Sequence, residues 1–266
     1  MRILKILILT ILLFSFSPFQ AFADKSDDTL VIAFSREITN LDYHYGTKTE
    51  YLILGDMIDD SLFYVENENL TYAPSLASDF NVVDDVTLDV NLRQGVKFHD
   101  GSEMTSDDVV YTYNFIVTND KNRRHKKLAS WLKSIEKTGK YSVRFNLNSP
   151  YANLFNDLYR IKIRKNGIMG TDGNWDDNAQ ATSLNGLGPY KVISFDPGVE
   201  VVLERNESYF GGPKGNPAIK NLIIRSIPDM GTQQAELMSG GIHWMYNVKK
   251  DVGEAMAKTG KADYQI

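Results

Sequence analysis

The sequence predicts an α/β fold with mixed sheets, into which a mostly antiparallel α+β unit is inserted. Three observations carry that prediction. The apolar, β-rich run Leu30–Ser35 reads as a strand buried within a sheet. Strand-like and helix-like segments then mix through the middle of the chain without strict βαβ alternation, which argues against a purely parallel sheet. Two strand pairs are centred on turns, one at Asp84-Asp85 and one at Asp196-Pro197-Gly198, and both read as antiparallel.

The first residues read as an export leader. Met1-Arg2 and Lys5 give a positive start, Ile6–Phe16 is a largely apolar run, and Pro18 ends it. Ala21-Phe22-Ala23 supplies small residues at −3 and −1, so residues 1–23 are expected to be removed and the mature chain to begin at Asp24. The apolar run is too short to span the ~30 Å of bilayer hydrocarbon.

After the strand at Leu30–Ser35, Glu37–His44 is expected to be an extended edge or turn. Glu50–Tyr64 places apolar residues at Leu52, Leu54, Met57, Ile58, Leu62 and Phe63, close to helical spacing. Asp79–Leu92 alternates as two short strands. Thr105 and Asp108 then form a capping box for a helix whose buried stripe is Val109, Val110, Tyr113 and Ile116, with Asp107 and Asp108 favoured by the helix dipole. Residues 119–127, NDKNRRHKK, read as a basic loop. Tyr141–Leu147 reads as a strand, Ser149-Pro150 as the start of a short helix through Leu158, and Asn166–Asn185 as a long loop. Tyr190–Phe195 and Val199–Arg205 form a hairpin, and Ile219–Ile227 is a strand. Pro228-Asp229 opens a helix that Gly240-Gly241 stops. Ile242–Tyr246 is a short strand and Val248–Lys258 a helix.

Composition excludes several function classes. The chain of 266 residues has a formal net charge of −5, and loss of the leader removes two cations and no acid, giving −7. That balance argues against a nucleic-acid partner. Cysteine is absent, which excludes disulfides, thiolate metal sites and a Cys nucleophile, together with the lipid-acceptor cysteine of a lipoprotein. A cleaved leader without that cysteine points to a soluble protein of a Gram-negative periplasm. The four histidines (44, 99, 125 and 243) lack metal-ligand spacing, and no phosphate loop or nucleophile elbow is present.

Four segments together carry a resemblance. Val82–Val110 contains R-Q-G-V-K-F-H-D-G followed by an M-T-S-D-D helix start. Glu37–His44 looks like a first-strand exit ending Leu-Asp-Pro-His, with Tyr43 in place of the proline. Gly188-Pro189-Tyr190 with Leu203-Glu204-Arg205-Asn206 and Tyr209 matches G-P-Y … L-x-R-N-x-x-Y. Glu236–His243 matches a helix–Gly–Glu–Ile–Asp unit, with Gly241 and His243 in place of the acids. In this order the segments resemble the periplasmic peptide-binding proteins of ABC importers, the family 5 extracellular solute-binding proteins of the dipeptide and oligopeptide type.

The resemblance implies the first lobe of a type II periplasmic-binding-protein-like fold with an inserted α+β subdomain, the second lobe being absent from these residues. The lobe would start at residues 24–45, be interrupted by the subdomain at 46–180, and continue over 181–266 up to the hinge. It implies a monomeric carrier that binds a small peptide or peptide-like solute and delivers it to permease subunits. No catalytic residue, metal or cofactor is implied. The same scaffold also serves opines, nickel complexes and oligosaccharides, and those solutes stay open.

The implied contacts are few. Glu37, Ile38 and Thr39 would sit at the cleft edge and pair with peptide backbone, although an exposed loop after a strand reads the same way. In the family the residue ahead of Gly-Pro-Tyr is usually Thr or Asn. Here it is Leu187, and Asn185 is the candidate substitute. Trp244, Tyr246 and Asn247 follow the Gly-Gly turn, and alternation puts both rings on one face, either lining the cleft or packed in the core. His99 and Asp100 are read as parts of a tight turn permitted by Gly101. The acid pairs Asp84-Asp85, Asp107-Asp108 and Asp176-Asp177 would serve a secreted hydrolase only if two carboxylates faced one substrate, and neighbouring residues on one element do not.

Overall fold

The computed structural model describes residues 28–44, 49–66, 70–118, 123–168 and 184–265. The export leader, Asp176-Asp177 and most of the loop expected at Asn166–Asn185 lie outside the described residues. In chain order the elements begin with β1 (Thr29–Phe34), α1 (Thr49–Ile58), β2 (Phe63–Val65), β3 (Tyr72–Pro74), β4 (Ala77–Asp84) and β5 (Thr87–Leu92). There follow α2 (Ser106–Thr118), α3 (Arg123–Leu128), β6 (Leu132–Gly139), β7 (Ser142–Leu147) and α4 (Leu154–Arg160). The last are β8 (Tyr190–Asp196), β9 (Glu200–Arg205), β10 (Asn221–Ser226), α5 (Met230–Ser239), β11 (Trp244–Met245) and α6 (Lys250–Ala257).

Two principal sheets organise these elements, and the fold is the mixed α/β type the sequence predicts. The five-stranded sheet has the order β11-β1-β10-β9-β8. β1 runs parallel to both β10 and β11, whereas β10, β9 and β8 pair antiparallel. β1 is apolar throughout because both its faces are covered. Ile32 and Phe34 join one core with Leu54 and Ile58 of α1, while Val31 and Ala33 join another with Ile242 and Met245. The four-stranded sheet β4-β5-β7-β6 is wholly antiparallel and packs Leu88, Val90, Val143 and Phe145 against Val109, Tyr113 and Ile116 of α2.

Local signals set the ends of several elements. The Thr105 N–H donates to Asp108 Oδ2 at 2.7 Å, and Thr105 Oγ1 accepts from Asp107 N–H at 3.3 Å, so the expected box opens α2. The Asp229 side chain accepts from Thr232 N–H at the start of α5, and Gly240 closes that helix at φ 85°. Gly198 turns the β8–β9 hairpin at φ 79°.

Three expectations need correction, and one strand falls where none was expected. The helix begun at Glu50 stops at Ile58, and Leu62 and Phe63 instead enter the core of the four-stranded sheet. α4 begins at Leu154 rather than at Ser149. Of the loop expected at residues 119–127, residues 123–127 are helical and belong to α3. β6 was not anticipated, because register shifts at Leu132/Ser134 and Lys137/Gly139 break its alternation. Among the described residues, no helix is long and apolar enough to cross a membrane.

Candidate functional site

Because β1, β10 and β11 are parallel, their carboxyl ends emerge on one side of the sheet, the place where open α/β sheets take ligands. The chain leaves β1 through Arg36, Glu37, Ile38 and Thr39. Glu37 and Thr39 are exposed, but the Ile38 side chain between them is 2% exposed and joins the core. Ile38 therefore anchors the segment and does not offer its side chain to a solute. Its carbonyl accepts from Gly198 N–H at 2.8 Å, and its N–H reaches Ser226 Oγ at 3.4 Å. Thr39 is tied through its N–H to the Tyr51 hydroxyl, also at 3.4 Å.

At the end of β11 the two aromatic residues do share a face. The rings of Trp244 and Tyr246 stack with centroids 5.7 Å apart and planes 9° from parallel. Trp244 is 43% exposed, so it is not a core residue, while Tyr246 packs edge-on against Phe34 at 5.4 Å. The Tyr246 hydroxyl donates to Glu50, a carboxylate in the first turn of α1 whose side chain is 3% exposed. Burial and this neighbouring carboxylate raise the Tyr246 pKa, keeping the phenol a donor. Arg36 Nε lies 3.9 Å from Glu50. Asn247 then takes a left-handed conformation, φ 62°, and turns the chain away. A cavity of about 970 Å³ runs from Asp28, Thr29 and Leu30 at the amino end of β1 along Trp244, Tyr246 and Asn247 to the residues beyond α6, so it flanks the β11 edge of the sheet rather than the carboxyl ends alone.

Leu187 and Asn185 do not belong to this edge. Leu187 is 0% exposed in the core of the four-stranded sheet, so it presents nothing to a solute. Asn185 pairs with the K-F-H-D-G turn, accepting from Asp100 N–H at 3.0 Å and donating to Asp100 Oδ2 at 2.9 Å. His99 accepts from Gly186 N–H at Nδ1, 3.3 Å, and donates from Nε2 to the Gly188 carbonyl, 3.0 Å. These bonds fix the neutral tautomer, and burial lowers the His99 pKa. The turn thus does more than shape its own subdomain. It clamps the Gly186–Gly188 segment, which passes so close to the end of α1 that a Cβ on Gly186 would lie 2.0 Å from the Ile58 carbonyl oxygen.

A buried ionic joint lies beside this clamp. Arg164, with no exposed side-chain surface, pairs with Asp42 at 2.9 Å and with Asp59. Lys162 pairs with Asp56 at 2.5 Å, and Lys214 with Asp60 at 2.9 Å. Tyr209 donates to Asp60 at 2.9 Å. Neither this joint nor the Glu50–Tyr246 bond was read from the sequence. The only trace is the alternation Ile161-Lys162-Ile163-Arg164 facing the acids Asp56, Asp59 and Asp60, whose pairing no local pattern reveals.

Comparison with known proteins follows the same lines. The family described as "Bacterial extracellular solute-binding proteins, family 5 Middle" matches residues 71–265. The oligopeptide-binding protein AppA of Bacillus subtilis is 32% identical over 219 residues, 80% of this chain and 36% of its own length. The structure of AppA from Bacillus subtilis in complex with a nonapeptide superposes with a TM-score of 0.76 at 29% identity, covering 86% of this chain and 46% of that one. NikZ from Campylobacter jejuni in complex with Ni(L-His) gives 0.67 at 26% identity, covering 81% and 42%. The chain spans less than half the length of these relatives.

Proposed function

This chain belongs to the bacterial extracellular solute-binding proteins of family 5, and we propose that it serves as a peptide carrier, handing its solute to the permease subunits of an ABC importer. On this reading it is a binding protein and not an enzyme, it acts as a monomer in the periplasm, and residues 1–23 are its export leader. The lobe comprises residues 24–45 and 181–266, the stretch between them is inserted, and α1 packs on the lobe's own sheet.

The observation that carries the reading is that the Arg36–Thr39 segment and the stacked Trp244–Tyr246 pair leave the adjacent parallel strands β1 and β11 at their carboxyl ends, with Glu37, Thr39 and Trp244 exposed. The Ile38 main-chain groups and the Thr39 N–H are bonded within the protein, so this edge offers a solute the Glu37 carboxylate and an apolar aromatic surface, features that suit a peptide of varied side chains. The likeness to AppA, named as an oligopeptide-binding protein, supports peptide over other solutes. The described residues form one wall of the cleft, and family members trap solute by closing a hinge between lobes.

A thermal-shift screen of the full-length gene product tests this. Short peptides should raise the melting temperature at micromolar to millimolar concentration. A shift with Ni(L-His), an opine or an oligosaccharide, and none with peptides, would overturn the peptide assignment.

A further inference from the structure

The stacked pair at the end of β11 rests on a tyrosine fixed by both packing and a buried hydrogen bond. Tyr246 is held at two points, by Phe34 against its ring and by buried Glu50 at its hydroxyl. The indole of Trp244 lies flat on this fixed ring, remains 43% exposed, and has Tyr246 as its only ring partner among the described residues. Asn247 follows in a left-handed conformation, φ 62°, and the indole keeps its exposure. Exposed Glu37 and Thr39 on the neighbouring strand end supply polar groups on the same side of the sheet.

We propose that Trp244 on Tyr246 is a platform selecting solutes with a planar, aromatic side chain, and that Glu50 is the positioning residue fixing the platform's plane. The proposal rests on the reading of this edge as the solute cleft. A flat ring offers an aromatic side chain both contact area and an offset-stacked or edge-on geometry, whereas a branched aliphatic chain gains only the area. A rigid platform adds discrimination because little ordering is left to occur on binding. Glu50 acts at one remove. Without its carboxylate the Tyr246 hydroxyl has no buried acceptor, and the ring beneath Trp244 is free to tilt.

Isothermal titration of the full-length gene product with the tripeptides Ala-Phe-Ala, Ala-Tyr-Ala and Ala-Leu-Ala tests the proposal. The aromatic peptides are expected to bind about 2- to 10-fold more tightly than Ala-Leu-Ala, the equivalent of about 0.5–1.5 kcal/mol for one aromatic pair. Trp244→Leu should bring that ratio to about one, whatever it does to the affinity for Ala-Leu-Ala itself. Glu50→Ala and Tyr246→Phe should reduce the ratio, and Glu50→Gln, which keeps an acceptor, should restore it. Because the readout is a ratio between two ligands on one folded protein, a general loss of stability does not imitate it. Equal affinity for aromatic and aliphatic peptides, or a ratio that survives Trp244→Leu, would overturn the platform and leave the carrier reading standing. Binding of no peptide at all would overturn the carrier reading and the platform with it.

Discussion

Arg164 donates to the carboxylate of Asp42 at 2.9 Å, and neither side chain has any solvent exposure. Asp42 belongs to the turn leaving the five-stranded sheet, while the Arg164 N–H bonds Thr112 Oγ1 of α2 at 2.9 Å. The pair therefore joins the two sheets' territories, and Asp59 on the far side of the guanidinium completes the joint.

Removing one member of such a pair leaves an uncompensated buried charge. Asp42→Asn and Arg164→Met are each expected to cost about 3–5 kcal/mol of unfolding free energy. Urea denaturation measures this, and a change below about 1 kcal/mol would mean that water reaches the joint.

The same carboxylate sets an acid limit. Burial alone would raise the Asp42 pKa, but the charges of Arg164 and His44 outweigh it and hold the group at about 2. The folded value lies below the unfolded one of about 3.9, so the stabilisation is complete above about pH 5 and is lost as pH falls toward 2. The amount is on the order of 2 kcal/mol. Urea midpoints between pH 5 and 2.5 should fall in the native protein and fall less steeply in Asp42→Asn.

His99 acts at higher pH. Burial depresses its pKa, so the unfolded chain binds the proton more readily. Its contribution is complete above the unfolded pKa of about 6.5 and declines as pH falls through that value toward the folded one. A proton on Nδ1 also removes the acceptor for Gly186 N–H. An NMR titration of the ring should give a midpoint below 6.5, and His99→Gln should flatten the stability profile in this window.

Gly186 and Gly188 are expected to tolerate no side chain. A Cβ on Gly188 would lie 2.5 Å from the Ile58 carbonyl carbon and 2.6 Å from the Asp59 nitrogen, and backbone cannot rotate aside as a side chain does. Either glycine replaced by alanine should displace the end of α1 and cost about 1–3 kcal/mol or more. Unchanged melting of both variants would show that the close approach relaxes without cost.

Much of the fold was legible because the signals are local. Thr105 and Asp108 are three residues apart, Gly198 sits inside its hairpin, and Asp229 caps the helix it precedes; each needs only its neighbours to act. Leu62 and Phe63 misled because their spacing continues a helical pattern that Ile58 ends. At the candidate site, the shared face of Trp244 and Tyr246 followed from strand alternation. Leu187 did not, because chain order placed it beside a family contact while packing drew it into the core.

The sequence by itself determined the family and the outline of the fold, through short motifs whose glycines, caps and turns impose backbone geometry wherever they occur. Val82–Val110 is the clearest of them. Tertiary structure alone decided which polar groups matter. It set His99 against Gly186 and Gly188, Arg164 between Asp42 and Asp59, and Glu50 beneath Tyr246. Those partners are separated by 87, 122 and 196 residues in the His99–Gly186, Asp42–Arg164 and Glu50–Tyr246 pairs. A buried charge or hydrogen bond is stable only when its partner arrives from elsewhere in the chain, and no local pattern specifies that arrival.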